Sequence, residues 1–300
     1  MALDPQVQAF LDREAGHVNA GTKALDARAG VPPPEVASVV DTTIVGPDSK
    51  VPVRIYTPMG VGPFPVTLWL HGGGWVRGTI TENDATCRHL TAEAGSIVVA
   101  VDYRLAPGTK FPGPAEDCYA AATWAAENAA SLGGDATRVA IAGASAGGNL
   151  AAAVTLMAKD RGGPSLAYQL LVYPVTDQRM ATESYELFKE GFRLTAESMH
   201  DYQDAYLRDE ADKQNPYAAP ILYEDFSGLP PAHVITAGHD VLRDEGEAYA
   251  ARLAEAGVPV KAMRYEGMVH TFFNATVGLD GTFEALREAG AELRKAFGTA

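Results

Sequence analysis

Six short runs rich in apolar residues recur through the chain, at 66–70, 97–101, 139–142, 170–173, 234–237 and 260–265. A strand with one wet face alternates apolar and polar residues. A run that is apolar at nearly every position has no wet face and must be covered on both sides, as in a parallel sheet crossed by helices. Segments of helical period lie between these runs, at 81–95, 115–131, 146–159, 243–256 and 282–297. Strand and helix in alternation predict an α/β sheet with helices on both faces. Two further β-rich runs, 38–45 and 51–57, flank the turn Gly46-Pro47-Asp48-Ser49 and predict an antiparallel hairpin. The expectation is therefore eight strands, two early and six later, mostly parallel.

Two stretches do not fit the alternation. Near the N-terminus Leu3, Val7, Phe10 and Leu11 share one helical face, Val18 and Leu25 continue it past Gly16, and Pro32-Pro33-Pro34 stops it. Residues 180–225 contain no strand pattern, and a helix is predicted over 195–207, where Thr195 and Ser198 mark its start. An insertion after the run at 170–173 sits at the C-terminal edge of the sheet, where α/β sheets bind ligands. We read 1–45 and 180–225 as two parts of a helical cap, and 46–179 with 226–300 as the sheet domain.

Composition narrows the function classes. Lys and Arg number 24 against 38 Asp and Glu, a formal charge of −14 that repels phosphate backbones and anionic lipid. Nucleic-acid partners are not expected. No apolar stretch reaches the roughly 18 residues of a membrane span, and the first residues lack the basic and apolar regions of a leader, so a cytoplasmic location is expected. Cys87 and Cys118 lack metal-site spacing and are expected to be buried free thiols; no metal or cofactor is expected.

The chemistry starts at Gly143-Ala144-Ser145-Ala146-Gly147, between the run at 139–142 and a helical segment. GxSxG in a strand–turn–helix context marks a nucleophile elbow. The strained turn needs small neighbours, and the helix N-terminus adds partial positive charge below the serine. Directly after the run at 66–70 comes His71-Gly72-Gly73-Gly74-Trp75. Glycines there let backbone N–H groups point into a site, and Gly72 and Gly73 with Ala146 would cradle an oxyanion. His71 is read as ordering that loop. A serine nucleophile needs a base, and the base an orienting acid. Of the histidines after Ser145, His270 stands in a loop at a strand's C-terminal edge, whereas His200 falls in the cap and His233 and His239 fall at the two ends of another strand. Asp240, just past the run at 234–237, is the expected acid, with Asp177 as runner-up. Asp244 and Glu245 read as favourable acids in a helix first turn.

These motifs, with Asp102-Tyr103-Arg104-Leu105-Ala106-Pro107 and the stretch from Asp240 to Gly246, resemble the bacterial esterase branch of the hormone-sensitive-lipase family of α/β-hydrolases. The resemblance runs from about residue 50 to the C-terminus. It implies an α/β-hydrolase fold with an eight-stranded sheet, a helical cap and a metal-free triad. Carried over, Ser145 is nucleophile, Asp240 acid and His270 base, with Gly72, Gly73 and Ala146 as oxyanion donors. This chain departs from the family pattern at Ala144, Gly108 and Val241. The expected activity is a carboxylesterase on small-molecule esters of short to medium acyl chains. Trp75, Tyr185, Phe188, Phe192 and Leu207 are candidates to line its substrate pocket. The rival reading is a ligand-binding member of the fold without catalysis, which the intact triad disfavours. A homodimer paired through the last strand and helix is also expected.

Overall fold

The computed structural model describes residues 2–300. Its strands are β1 (Ser38–Val45), β2 (Lys50–Thr57), β3 (Phe64–Leu70), β4 (Ile97–Val101), β5 (Gly134–Ala144), β6 (Tyr168–Val172), β7 (Ala232–His239) and β8 (Val260–Val269). Among the described residues these eight form one sheet in the order β1-β2-β4-β3-β5-β6-β7-β8. The first two pairings, β1 with β2 and β2 with β4, are antiparallel; all others are parallel. The helices are α1 (Pro5–Glu14), α2 (Ala20–Ala29), α3 (Asp84–Ala94), α4 (Gly113–Asn128), α5 (Ala146–Arg161), α6 (Glu183–Leu187), α7 (Ala196–Tyr206), α8 (Arg243–Glu255) and α9 (Asp280–Phe297).

The period-2 geometry of a strand sends alternate side chains to opposite faces. On β3, β4 and β5 it divides the apolar residues between two cores. Leu68, Leu70, Val99, Val101 and Ile141 enter the core beneath α4, α5 and α8. Trp69, Val98, Ala100, Ala140 and Ala142 enter the core beneath α3 and α9. Both cores are dry, so truncating a central side chain such as Leu68, fully buried, to Ala costs roughly 2–5 kcal/mol. β8 differs from its expected buried character: it is an edge strand, and Lys261 and Arg264 on it pair with Glu288, Glu292 and Glu247 instead of entering a core.

The chain leaves β3 for β4 on one side and returns to β5 on the other. The strand order therefore reverses between β3 and β5, and such a switch point opens a crevice at the strands' C-terminal ends. The glycine loop after β3 and Ser145 after β5 are both delivered there.

The cap boundaries need correction. Ser38–Val45, placed in the cap by the sequence reading, pairs in register with β2 and forms the opposite sheet edge, because its turn closes through Gly46 N–H to Ser49 C=O. The two remaining stretches join different cores: Val7, Phe10 and Leu25 pack under the α3–α9 face, whereas Tyr185, Met199 and Tyr206 pack on the other. They meet at Arg193, which pairs with Glu14 and lies over the Phe10 ring. Helix α7 starts as expected, with the Thr195 side chain accepting from Ser198 N–H. The first helical stretch is broken at Gly16 (φ 78°), and Asn19 with Thr22 forms a capping box that restarts it as α2. Cys87 and Cys118 are buried and free. Among the described residues no helix is long and apolar enough to cross a membrane.

Candidate active site

Ser145 sits at φ 57° and ψ −120°, a conformation that costs an ordinary residue of order 1–3 kcal/mol. The surroundings hold it there. Ser145 N–H donates to Val172 C=O at 2.9 Å, and Asn149 N–H reaches back to Ser145 C=O at 3.0 Å. Space is the second constraint. A methyl group at Gly147 would run into the Leu70 and His71 carbonyls, and one at Gly143 into the Gly147 carbonyl. Strand and helix can cross this closely only without side chains.

His270 follows β8 and crosses above β7 and β6 to reach the serine. Its Nε2 lies 2.9 Å from Ser145 Oγ, and its Nδ1 lies 2.7 Å from Asp240 Oδ2. An ionised carboxylate only accepts, so Nδ1 carries the proton and Nε2 is left to accept the serine hydroxyl. Asp240 is held in turn by Leu242 N–H, 3.1 Å from Oδ1. Tyr173, at φ 34°, lays its ring 4.6 Å from the His270 ring. Ser145, His270 and Asp240 are all buried; the first two line the cavity, and Asp240 stands behind His270.

The glycine loop faces the serine from the other side. A methyl group at Gly72 would lie 3.3 Å from Ser145 Cβ, so this backbone stands directly against the nucleophile. Gly73 adopts φ +123°, which L side chains rarely do, and its carbonyl closes a turn with Val76 and Arg77 N–H. Ala146 opens α5, so its N–H has no partner within the helix. His71 orders the loop as expected: its Nδ1 lies 2.8 Å from Gly72 C=O, and its ring stacks on Tyr103 at 4.3 Å. Burial holds the His71 imidazole below its usual pKa, and the Gly72 carbonyl, which accepts from Nδ1–H, opposes that shift.

The structure also separates the alternatives. Asp177 is taken by Arg179, which contacts both its oxygens. His200 is exposed on α7, and His239 packs between the Phe188 and Phe192 rings. Glu245 is an acid in the first turn of α8, as expected, and is also buried: it accepts Thr176 N–H at 2.7 Å and Asp177 N–H at 3.2 Å, and burial pushes its carboxyl well above the usual range. It thereby pins the loop after β6 to the start of α8. No local pattern marks Glu245 or Tyr173, because their roles exist only once β6, β7 and β8 are side by side.

Above the serine lies a cavity of about 470 Å³. Trp75 reaches its wall, stacked at 4.3 Å on Tyr206 behind it. The other four expected lining residues lie elsewhere. Tyr185 and Leu207 are buried in the core under the cap, and Phe188 and Phe192 are engaged with His239. Val175, Leu194, Met199 and Tyr202 line the cavity in their place. Met199 and Tyr202 are three apart on α7, as on any helix packed on a core, and Val175 and Leu194 lie in loops, so nothing local distinguished them.

Comparison with known proteins places this geometry. Residues 67–274 match the family model described as alpha/beta hydrolase fold. An arylesterase of Saccharolobus solfataricus is 39% identical over 92% of this chain and 94% of its own length. A carboxylesterase of Mycobacterium tuberculosis is 38% identical over 98% of this chain and 96% of its own. The solved structure of a Pyrobaculum calidifontis esterase superposes with a TM-score of 0.90 at 39% identity, covering 99% of this chain and 100% of that one.

Proposed function

Because this chain belongs to the hormone-sensitive-lipase-like family of α/β-hydrolases and is a carboxylic ester hydrolase, we propose that it works as a serine esterase on short- to medium-chain acyl esters. The observation that carries this reading is the continuous relay from Asp240 through His270 to Ser145, with contacts of 2.7 and 2.9 Å.

Ser145 Oγ attacks the ester carbonyl carbon while His270 Nε2 takes its proton. Asp240 stabilises the resulting imidazolium and keeps it in register. The carbonyl oxygen becomes an oxyanion between the N–H groups of Gly72, Gly73 and Ala146; each such donor contributes on the order of 3 kcal/mol. His270 returns the proton to the leaving alcohol, the C–O bond breaks, and Ser145 is left acylated. Water, deprotonated by the same histidine, attacks the acyl carbon and releases the acid and the free serine. The cavity of about 470 Å³ supports a substrate of modest size.

A ladder of p-nitrophenyl esters from acetate to palmitate tests the reading. Turnover is expected to peak at ten carbons or fewer. Ser145→Ala is expected to lower kcat by on the order of a million-fold. A preference for chains well beyond ten carbons overturns the size assignment, and turnover retained in Ser145→Ala overturns the nucleophile.

A further inference from the structure

Resting on the serine-esterase reading, we propose that the enzyme selects esters whose alcohol half is neutral and hydroxylated, because the two walls of the cavity differ in polarity and the relay decides which half of the ester faces each. The leaving oxygen must face His270 Nε2 to take its proton. The alcohol half therefore lies along the wall built by the loop after His270 and by the start of α3. The acyl half takes the remaining direction, toward Val175, Leu194, Met199 and the Tyr202 ring.

The wall on the histidine side is held rigid. Ala275 N–H donates to Thr86 Oγ1 at 3.0 Å, and Trp69 Nε1 donates to Asn83 Oδ1 at 3.1 Å, so loop and helix move together. It also carries hydrogen-bonding capacity that the protein does not use. Asn274 accepts Thr276 N–H and Oγ1–H with its Oδ1 alone, which leaves the Nδ2 hydrogens. Thr86, having accepted with its oxygen, keeps its own proton to donate. The Thr271 hydroxyl is buried and has no partner among the described residues, on a backbone held at φ 72° where a β-branched residue is uncommon. A buried polar group without a partner costs about 1–3 kcal/mol, and since Thr271 lines the cavity, a small turn of its side chain would bring the hydroxyl to a ligand and recover that cost. The opposite wall offers an alkyl chain the apolar side chains of Val175, Leu194 and Met199, and it also carries Arg193 and Arg77, the latter over the Tyr202 ring. On the alcohol wall the charged side chain is Glu82, which disfavours an anionic alcohol there.

Matched esters test this by pH-stat titration: butyl butyrate against glycerol monobutyrate for the alcohol side, and methyl butyrate against methyl 3-hydroxybutyrate for the acid side. The readout is the kcat/KM ratio within each pair. The wild-type enzyme is expected to favour the glycerol ester by about tenfold, the worth of one well-placed hydrogen bond. That ratio is expected to fall several-fold in Asn274→Leu and in Thr271→Val. The second variant keeps the side-chain shape and removes only a hydroxyl that bonds nothing, so it folds even where the first does not. A wild-type ratio of one or less, a ratio unchanged in the folded variants, or a hydroxyl advantage on the acid side each overturns the proposal. Esterase activity that survived Ser145→Ala would overturn the serine mechanism instead, and leaves the ratios readable on their own.

Discussion

His270 and His233 stand at opposite ends of two neighbouring strands, one just past the end of β8 and the other at the start of β7, and both rings are shut away from water at 4% and 0% exposure. They are opposites in every other respect. Both nitrogens of His270 are engaged, one by Asp240 and one by Ser145. Neither nitrogen of His233 has a partner among the described residues. Burial is the main cause that drives the His233 pKa down to about 4; Lys261 adds to it, and Glu288 and Glu292 pull the other way. The comparison teaches that withdrawing an imidazole from water does not make it a base. An acid on one side and a proton source on the other make it one.

The largest effect expected from breaking the comparison is His270→Ala. It removes the base and should lower kcat on a p-nitrophenyl ester by on the order of a million-fold, while His233→Leu, read in the same assay, should stay within a few-fold of wild type. Next is Asp240→Asn, which keeps the shape but favours the wrong tautomer of His270. A loss of about 10⁴-fold in kcat is expected, with little change in KM. Asp177→Asn sharpens the same point, since Asp177 is tied to Arg179 and touches neither His270 nor Ser145; its kcat should change by less than about tenfold. If the two aspartates swapped these effects, the assignment of the acid would fail.

The smallest effect is on stability. His233 has a folded pKa of about 4 against an ordinary 6.5. The unfolded chain therefore binds more protons between these values, and the folded state loses stability as pH falls from 6.5 to 4. The loss is on the order of 3 kcal/mol from this group. His233→Leu removes it, so the difference in urea-unfolding free energy between pH 7 and pH 4 should be smaller in the variant. An unchanged difference would show that His233 takes up its proton in the folded protein as readily as in the unfolded chain.

Much of the site was legible in the sequence because its parts are local. The elbow around Ser145 demands small residues on either side, whatever the rest of the chain does, and the steric contacts of Gly143 and Gly147 are why. The glycines after β3 follow from the same need for bare backbone. The pocket wall was not legible. Tyr185 and Leu207 have the residue types of a substrate wall, yet they fill the core beneath the cap, whereas Val175 and Met199 face the cavity. Residue type says that a side chain avoids water, and not whether protein or substrate will cover it.

The sequence by itself determined the alternation of strand and helix, the elbow, the glycine loop after β3 and the short list of acids and bases, since each is a matter of period, backbone freedom or position after a strand. The tertiary structure decided which members of each list come together. Asp177 and Asp240 both follow a strand, and only the order β6-β7-β8 sets Asp240 beneath His270 while Asp177 turns to Arg179. His233 and His270 are one residue type in one sheet, and only the second has partners brought within 3 Å of its ring, Asp240 on one nitrogen and Ser145 on the other. Hydrogen bonds act over a few ångströms, and here they join residues 30 and 125 positions apart in the chain.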